Sequence, residues 1–148
     1  MSKKARSEAN RVAMAIKSTK AEYYVADVDL DDQEPDVVMA GEMIRKTLGK
    51  VQSGFMIISA GVTHLLVLVD IPKEKTEKLS AKIFLGEALA GISDTLTDDS
   101  SDLLAKCFVP IDNAFKKKDS VRSTAFAYLR KCGLLEEEEE EEVYEFEI

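Results

Sequence analysis

"SGFMIISAGVTHLLVLVDIPKEK", residues 53–75, decides the fold. Two apolar stretches, about 55–59 and 63–70, are parted by Ala60 and Gly61. Each is of strand length, and the glycine suits a tight connection, so the simplest reading is an antiparallel hairpin. Leu65, Leu66, Val67, Leu68 and Val69 follow one another without a polar break. A strand with no polar face is covered on both sides, so this one belongs at the centre of a sheet. Pro72 ends it, and a helix is expected from there to about Ile92 on the stripe Ala81, Phe84, Leu85, Ala88 and Ile92.

Upstream of the hairpin, "AEYYVADVDL" (21–30) has β-formers in partial alternation and reads as a strand. The helix after it has Val37, Ala40, Ile44, Leu48 and Val51 as its buried stripe. Asp31 or Asp32 can cap that helix, and Pro35 suits its first turn. Acids stand at its start and Arg45, Lys46 and Lys50 at its end, the order the helix dipole favours. Residues 3–18 form an earlier helix with a thin face of Ala5, Ala9, Val12 and Ile16, which needs a partner to be stable. Downstream, "SDTLTDDSSD" (93–102) is a polar loop and "LLAKCFV" (103–109) a strand. Pro110 breaks that strand, Asp112 can cap, and a last helix covers about 113–131 before Gly133 stops it. The order is therefore helix, then β-α-β-β-α-β-α. It predicts an α/β (α+β) sandwich, one mixed sheet with helices packed on it, preceded by an N-terminal helix. The expected divisions are an N-terminal helix or linker over 1–20, a domain over 21–134 and an acidic tail over 135–148.

The net charge of −8 is unevenly placed. The run Glu136–Glu142, with Glu145 and Glu147, holds nine of the 28 acids, which leaves 19 acids against 20 bases in residues 1–135. The body is nearly neutral, and a solid run of like charge stays solvated. Its closing "VYEFEI" alternates and could add a strand to an open sheet edge. No apolar run is long enough to cross a bilayer, and the basic N-terminus lacks the apolar segment of a secretory signal. Cys107 and Cys132 make neither a disulfide framework nor a zinc site. A cytoplasmic protein, without a membrane partner, is expected.

Two lysine clusters are candidate phosphate contacts. Lys75, Lys78 and Lys82, at spacings of three and four, would share one helical face, with Lys73 near the helix start. Lys116, Lys117, Lys118 and Arg122 stand around the last helix. Glu74 and Glu77 interleave with the first cluster, so an ordinary solvated surface is the alternative at each. Asp27, Asp29 and Asp31 mimic the start of a calcium loop. However, Asp32 stands where that loop needs glycine and Val38 where it needs its bidentate glutamate, so the reading fails. His64, the sole histidine, has no nucleophile at a telling spacing. No phosphate loop, metal motif or nucleophile elbow occurs, and no cofactor is expected.

Taken in order, "SKKARSEANRVAMAIK", "YYVADVDL", "GEMIRKTLGK", "GFMIISAGVTHLLVLVDIP", "KLSAKIFLGEALAGIS" and "STAFAYLRKCG" resemble the C-terminal domain of eukaryotic alanyl-tRNA synthetase, of the wider DHHA1 family. The resemblance covers about residues 2–134 and lies in segment order, lengths and hydrophobic pattern. It implies a DHHA1-like sandwich with no aminoacylation chemistry of its own. Such a domain helps hold the outer corner of tRNA, here tRNA(Ala), links the catalytic and editing domains of the synthetase and can mediate dimer formation. Lys73, Lys75, Lys78 and Lys82 would then contact phosphates, with help from Lys116, Lys117 and Arg122. One departure matters: where the family has a glycine-rich run, this chain reads "SDTLTDDSSDLLAK" with Asp94, Asp98, Asp99 and Asp102. Without glycine the backbone approaches phosphate less closely, and the acids repel it. That departure and the acidic tail motivate the rival expectation, a protein-interaction or dimerisation domain that has lost its tRNA contacts.

Overall fold

The computed structural model describes residues 2–135; the acidic run and the "VYEFEI" strand expectation lie outside the described residues. The elements are α1 (Lys3–Thr19), β1 (Tyr23–Val28), α2 (Glu34–Leu48), β2 (Gly54–Ala60), β3 (His64–Asp70), α3 (Ala81–Ala88), β4 (Leu104–Pro110) and α4 (Ala114–Lys131). The strands form one sheet in the order β1-β2-β3-β4. β1 runs parallel to β2, with Tyr24 opposite Phe55, and β2–β3 and β3–β4 are antiparallel. The sheet is therefore mixed, and the quoted stretch supplies its two central strands.

The strand pleat sorts the side chains between two cores. Val25, Met56, Ile58, Leu65, Val67, Val69, Ala105 and Cys107 face α3 and α4. Ala26, Val28, Phe55, Ile57, Leu66 and Leu68 face α1 and α2. This is why Leu65–Val69 could be apolar throughout: successive residues alternate between two helical layers. All five are at most 1% exposed, and each contributes on the order of 1.5–3 kcal/mol on burial. The thin alanine face of α1 finds its partner in α2. Ala5, Ala9, Val12, Ala13 and Ile16 are buried, and small side chains let the two helices lie close. Ser2 caps α1 by accepting from the Ala5 amide.

Three local expectations are corrected. The helix expected over Pro72–Ile92 is broken. A 3₁₀ turn spans Lys73–Lys75, a turn follows, and α3 begins only at Ala81 and stops at Ala88. Leu79 is buried, the Ala81 amide donates to the Asp102 carbonyl, and the Ser80 hydroxyl accepts from the Ile83 amide, so the chain is pinned and capped at residue 80. Neither Asp31 nor Asp32 caps α2. Gln33 holds the cap position without a side-chain bond, and Asp32 reaches instead to the hairpin turn. Asp112 does not cap α4; Asn113 stands there, with φ of 59°.

α4 ends as expected at Gly133, whose φ is 75°. The Leu134 amide donates to the Leu129 carbonyl and the Gly133 amide to that of Arg130, a left-handed closure that turns the chain back over the helix end.

Candidate nucleic-acid interface

The sheet has two unlike ends. At the lower end β1, β2 and β4 begin and β3 stops; at the upper end β1, β2 and β4 finish and β3 begins. α4 starts at the upper end and runs down to bring Gly133 and Leu134 beside Tyr23. Its 18 residues span about 27 Å.

Lys75 and Lys78 come together at the lower end. With Glu22, Tyr23, Gln52, Glu74, Gly133 and Leu134 they line a cleft of about 290 Å³. Lys75 is fixed there. Its Nζ lies 3.1 Å from the Glu22 carboxylate and 5.4 Å from the centre of the Tyr23 ring, and its side chain is only 21% exposed. Burial pushes the Tyr23 phenol above its ordinary value, against the pull of the Lys75 charge. Lys78 is exposed and has no carboxylate partner among the described residues.

A second cleft of about 370 Å³ adjoins the first, sharing Glu22, Gln52 and Lys75 with it. It adds Lys17 and Lys20 from the end of α1. Lys20 has φ of 56° and its amide donates to the Ile16 carbonyl, so the helix end itself places that residue. The lower end thus presents Lys17, Lys20, Lys75 and Lys78 against Glu22 and Glu74. Lys17 and Lys20 were not legible as partners of Lys75, because only the packing of α1 under the sheet brings residues so distant in sequence together.

The other candidates are elsewhere. Lys75, Lys78 and Lys82 do not share a helical face, since only Lys82 lies on α3. Lys73 is exposed on the 3₁₀ turn and Lys82 on the first turn of α3, neither with a carboxylate partner among the described residues. Lys116, Lys117, Lys118 and Arg122 belong to the upper half of α4, from about half to nearly a full helix length away from the cleft. Lys118 and Arg122 share the Asp27 carboxylate, at 3.8 and 3.5 Å. Lys116 and Lys117 have no such partner among the described residues.

The upper end gathers the aspartates of the β1–α2 segment with several cations. Lys4 bridges Asp29 and Asp31, at 3.2 Å each, and its ammonium is held above its ordinary value mainly by those hydrogen bonds. The aspartates that suggest a calcium loop thus sit among cations. His64 shares this end. Its Nδ1 is 2.8 Å from the Thr63 hydroxyl, which also donates to the Asp32 carboxylate. The grouping ties the hairpin turn to the β1–α2 loop.

The aspartate-rich loop lies along the outer edge of β4. The Thr97 amide donates to the Lys106 carbonyl, and the Lys106 amide to the Ser100 hydroxyl. Asp99 pairs with Lys106 at 2.8 Å, which holds its carboxyl below the usual range, with help from Thr97. Asp102 accepts from Ser80. The loop closes a sheet edge, and the width of four strands, about 14 Å, separates that edge from β1.

Comparison with models of protein families, and with curated proteins, finds no match. Among solved structures, the C-Ala domain from Aquifex aeolicus alanyl-tRNA synthetase is similar, with a TM-score of 0.48 and 16% identity over 76% of this chain and 88% of that one.

Proposed function

We propose that this chain is a non-catalytic accessory domain that binds tRNA, docking it on the lower end of the sandwich. The observation that carries the reading is the convergence of Lys17, Lys20, Lys75 and Lys78, from two segments far apart in sequence, on two adjoining clefts of a nearly neutral body. Clustered ammonium groups bind the phosphate backbone by counterion release, without reading bases. Lys73 and Lys82 extend the contact on either side of the turn that carries Lys78. Lys116 and Lys117 lie near the far end of α4 and Arg122, halfway along it, is paired with Asp27, so these three form at most a second, outlying contact. The resemblance in segment order supplies the kind of RNA, with tRNA(Ala) the first to test and an alanyl-tRNA synthetase as the setting. Recognition would be by folded shape.

The test is binding of a tRNA(Ala) transcript by fluorescence anisotropy at low salt. Replacing Lys17, Lys20 and Lys78 together with Glu is expected to weaken binding at least ~100-fold and to flatten its salt dependence. Unchanged affinity overturns the reading.

A second reading has its own observation. β1 is an edge strand, and the Glu22 carbonyl accepts from the Gly54 amide, so the alternation turns the amide groups of Tyr23 and Val25 away from β2. An edge strand can pair with a second copy, here along Tyr23–Val25, since Arg11 already holds the outward Asp27 carbonyl. Sedimentation with and without tRNA separates the two, since a heavier species indifferent to tRNA favours dimerisation.

A further inference from the structure

The α1–α2 layer carries a furrow on its outer side, away from the sheet. The two helices lie side by side and run the same way. The Ser2 hydroxyl donates to the Asp36 carboxylate where both begin, and Lys17 and Val51 line one cleft where both end. Arg6 of α1 and Met39, Glu42, Met43, Lys46 and Thr47 of α2 line the furrow, a hollow of about 650 Å³. Met39 is 37% exposed, and Met43 is half-buried against the core beneath. The two methionines stand one turn apart and make an apolar floor that is open at the surface. From Met39 to Lys46 that floor runs about 10 Å, two turns of a helix. The rims are basic. Lys3, Arg6, Asn10 and Lys17 follow at spacings of three, four and seven, so they share one exposed face of α1 beside the furrow. Glu8, the one acid of α1, is on the far side, held by Arg11 and the Asp29 amide. Arg6 and Lys46 have no carboxylate partner among the described residues. Glu42, one turn before Lys46, is the acid that lines the furrow. Lys3, Arg6, Lys17 and Lys46 thus border it against a single opposing charge.

We propose that this furrow is a docking surface for a partner protein, which lays an acidic amphipathic helix between α1 and α2. The ridge of one helix fits the furrow between two others, and its apolar side chains, at every third and fourth position, meet Met39 and Met43. Methionine adapts to such side chains without demanding one shape. Carboxylates beside the ridge meet Arg6 and Lys46, the cations without partners. The charge of the rims selects an acidic helix over a basic one. A phosphate backbone would satisfy the rims but leave the methionine floor uncovered, which favours a protein occupant over RNA. Docking here is independent of tRNA at the lower clefts.

The experiment uses the full-length chain, isotope-labelled at its methionine methyl groups and followed by NMR. It is titrated at low salt with a synthetic helix of about 15 residues, with leucines on one face and glutamates along both sides of that face. The Met39 and Met43 resonances are expected to shift and saturate, while Met56, buried on the other side of the sheet, stays in place. The same peptide with lysines for its glutamates is expected to bind at least ~10-fold more weakly. Arg6→Glu together with Lys46→Glu should reverse that preference, and an unmoved Met56 resonance reports that the variant is folded. Glu42→Lys, which removes the opposing charge, is expected to tighten the acidic peptide several-fold. In about 1 M salt, where charges are screened within a few ångströms, the difference between the peptides should vanish. Unmoved Met39 and Met43 resonances overturn the proposal. Equal binding of the two peptides at low salt also overturns it, because the surface would then be apolar without being selective. A tRNA(Ala) transcript that shifts Met39 and Met43 where the acidic peptide does not would give the furrow to RNA and overturn it as well.

Discussion

Gly61 carries no side chain because another residue already fills the space. Its φ is not in the left-handed region, so the turn does not demand glycine on that ground. A Cβ there would overlap the Asp32 carboxylate and press on the Asp31 backbone. The carboxylate cannot retreat, because it accepts from the Thr63 and His64 amides and from the Thr63 hydroxyl. Gly61→Ala is therefore expected to cost about 1–3 kcal/mol in chemical denaturation, the range for overpacking. Asp32 itself should be visible in the pH dependence of stability. Burial pushes its carboxyl up, but the donors of Thr63 and His64 outweigh that and bring it below the ordinary value. A carboxyl lowered in the folded state stabilises the fold above its unfolded value, and the contribution is lost as pH falls through the folded one. Asp32→Asn should thus be less stable than the natural chain at neutral pH, with the gap closing below roughly pH 4. A gap of constant size across an acid titration of the melting temperature would contradict that assignment.

At the scale of elements, α3 shows what periodicity conveys and what it hides. Ala81, Phe84, Leu85 and Ala88 are buried as their spacing requires. The same stripe says nothing about where the helix starts, since Glu and Lys at 73–78 are as compatible with a helix as with a turn. The start is set by three contacts that no local pattern contains: buried Leu79, the Asp102 carbonyl under Ala81, and the Ser80 cap. Ser80→Ala is expected to cost about 1 kcal/mol through loss of that cap, measured by thermal unfolding, while leaving the cleft lysines in place. The central hairpin was legible because Leu65–Val69 record burial on both faces directly in composition. The pairing of β2 with β3 and the two-sided cover of β3 follow from it, whereas the places of β1 and β4 at the two edges are set by tertiary packing. The lysine surface was legible only in part. Lys75 and Lys78 stand out as a cluster, but the reason they face one cleft is the turn, not a helix. Lys17 and Lys20 join them only through the packing of α1, which is a tertiary fact.

For the whole molecule the two ends of the sheet differ in how their cations are paired, and that bears on how a polyanion approaches. Asp27, Asp29, Asp31 and Asp32 follow the upper end of β1, where Arg122, Lys118 and Lys4 are spent on them. Exposed pairs of this kind are weak, about 0–1 kcal/mol, yet each removes a cation from the surface seen at a distance. Among the described residues that line the lower clefts, Glu22 and Glu74 are the acids beside Lys17, Lys20 and Lys78, and Glu22 is engaged by Lys75. On the proposed function, RNA is expected to meet the lower end first. The salt dependence of tRNA binding measures this orientation, because each lysine that neutralises a phosphate adds about 0.9 to the slope of log K against log salt. Lys78→Ala is expected to reduce the slope by about that amount. The double change Lys116→Ala and Lys117→Ala should leave it unaltered, since those residues lie a helix length of about 27 Å from the cleft. Sites so far apart act independently, so the triple variant should match Lys78→Ala alone. A slope that drops with Lys116 and Lys117 instead would place the RNA along α4 and make the upper lysines the principal contact.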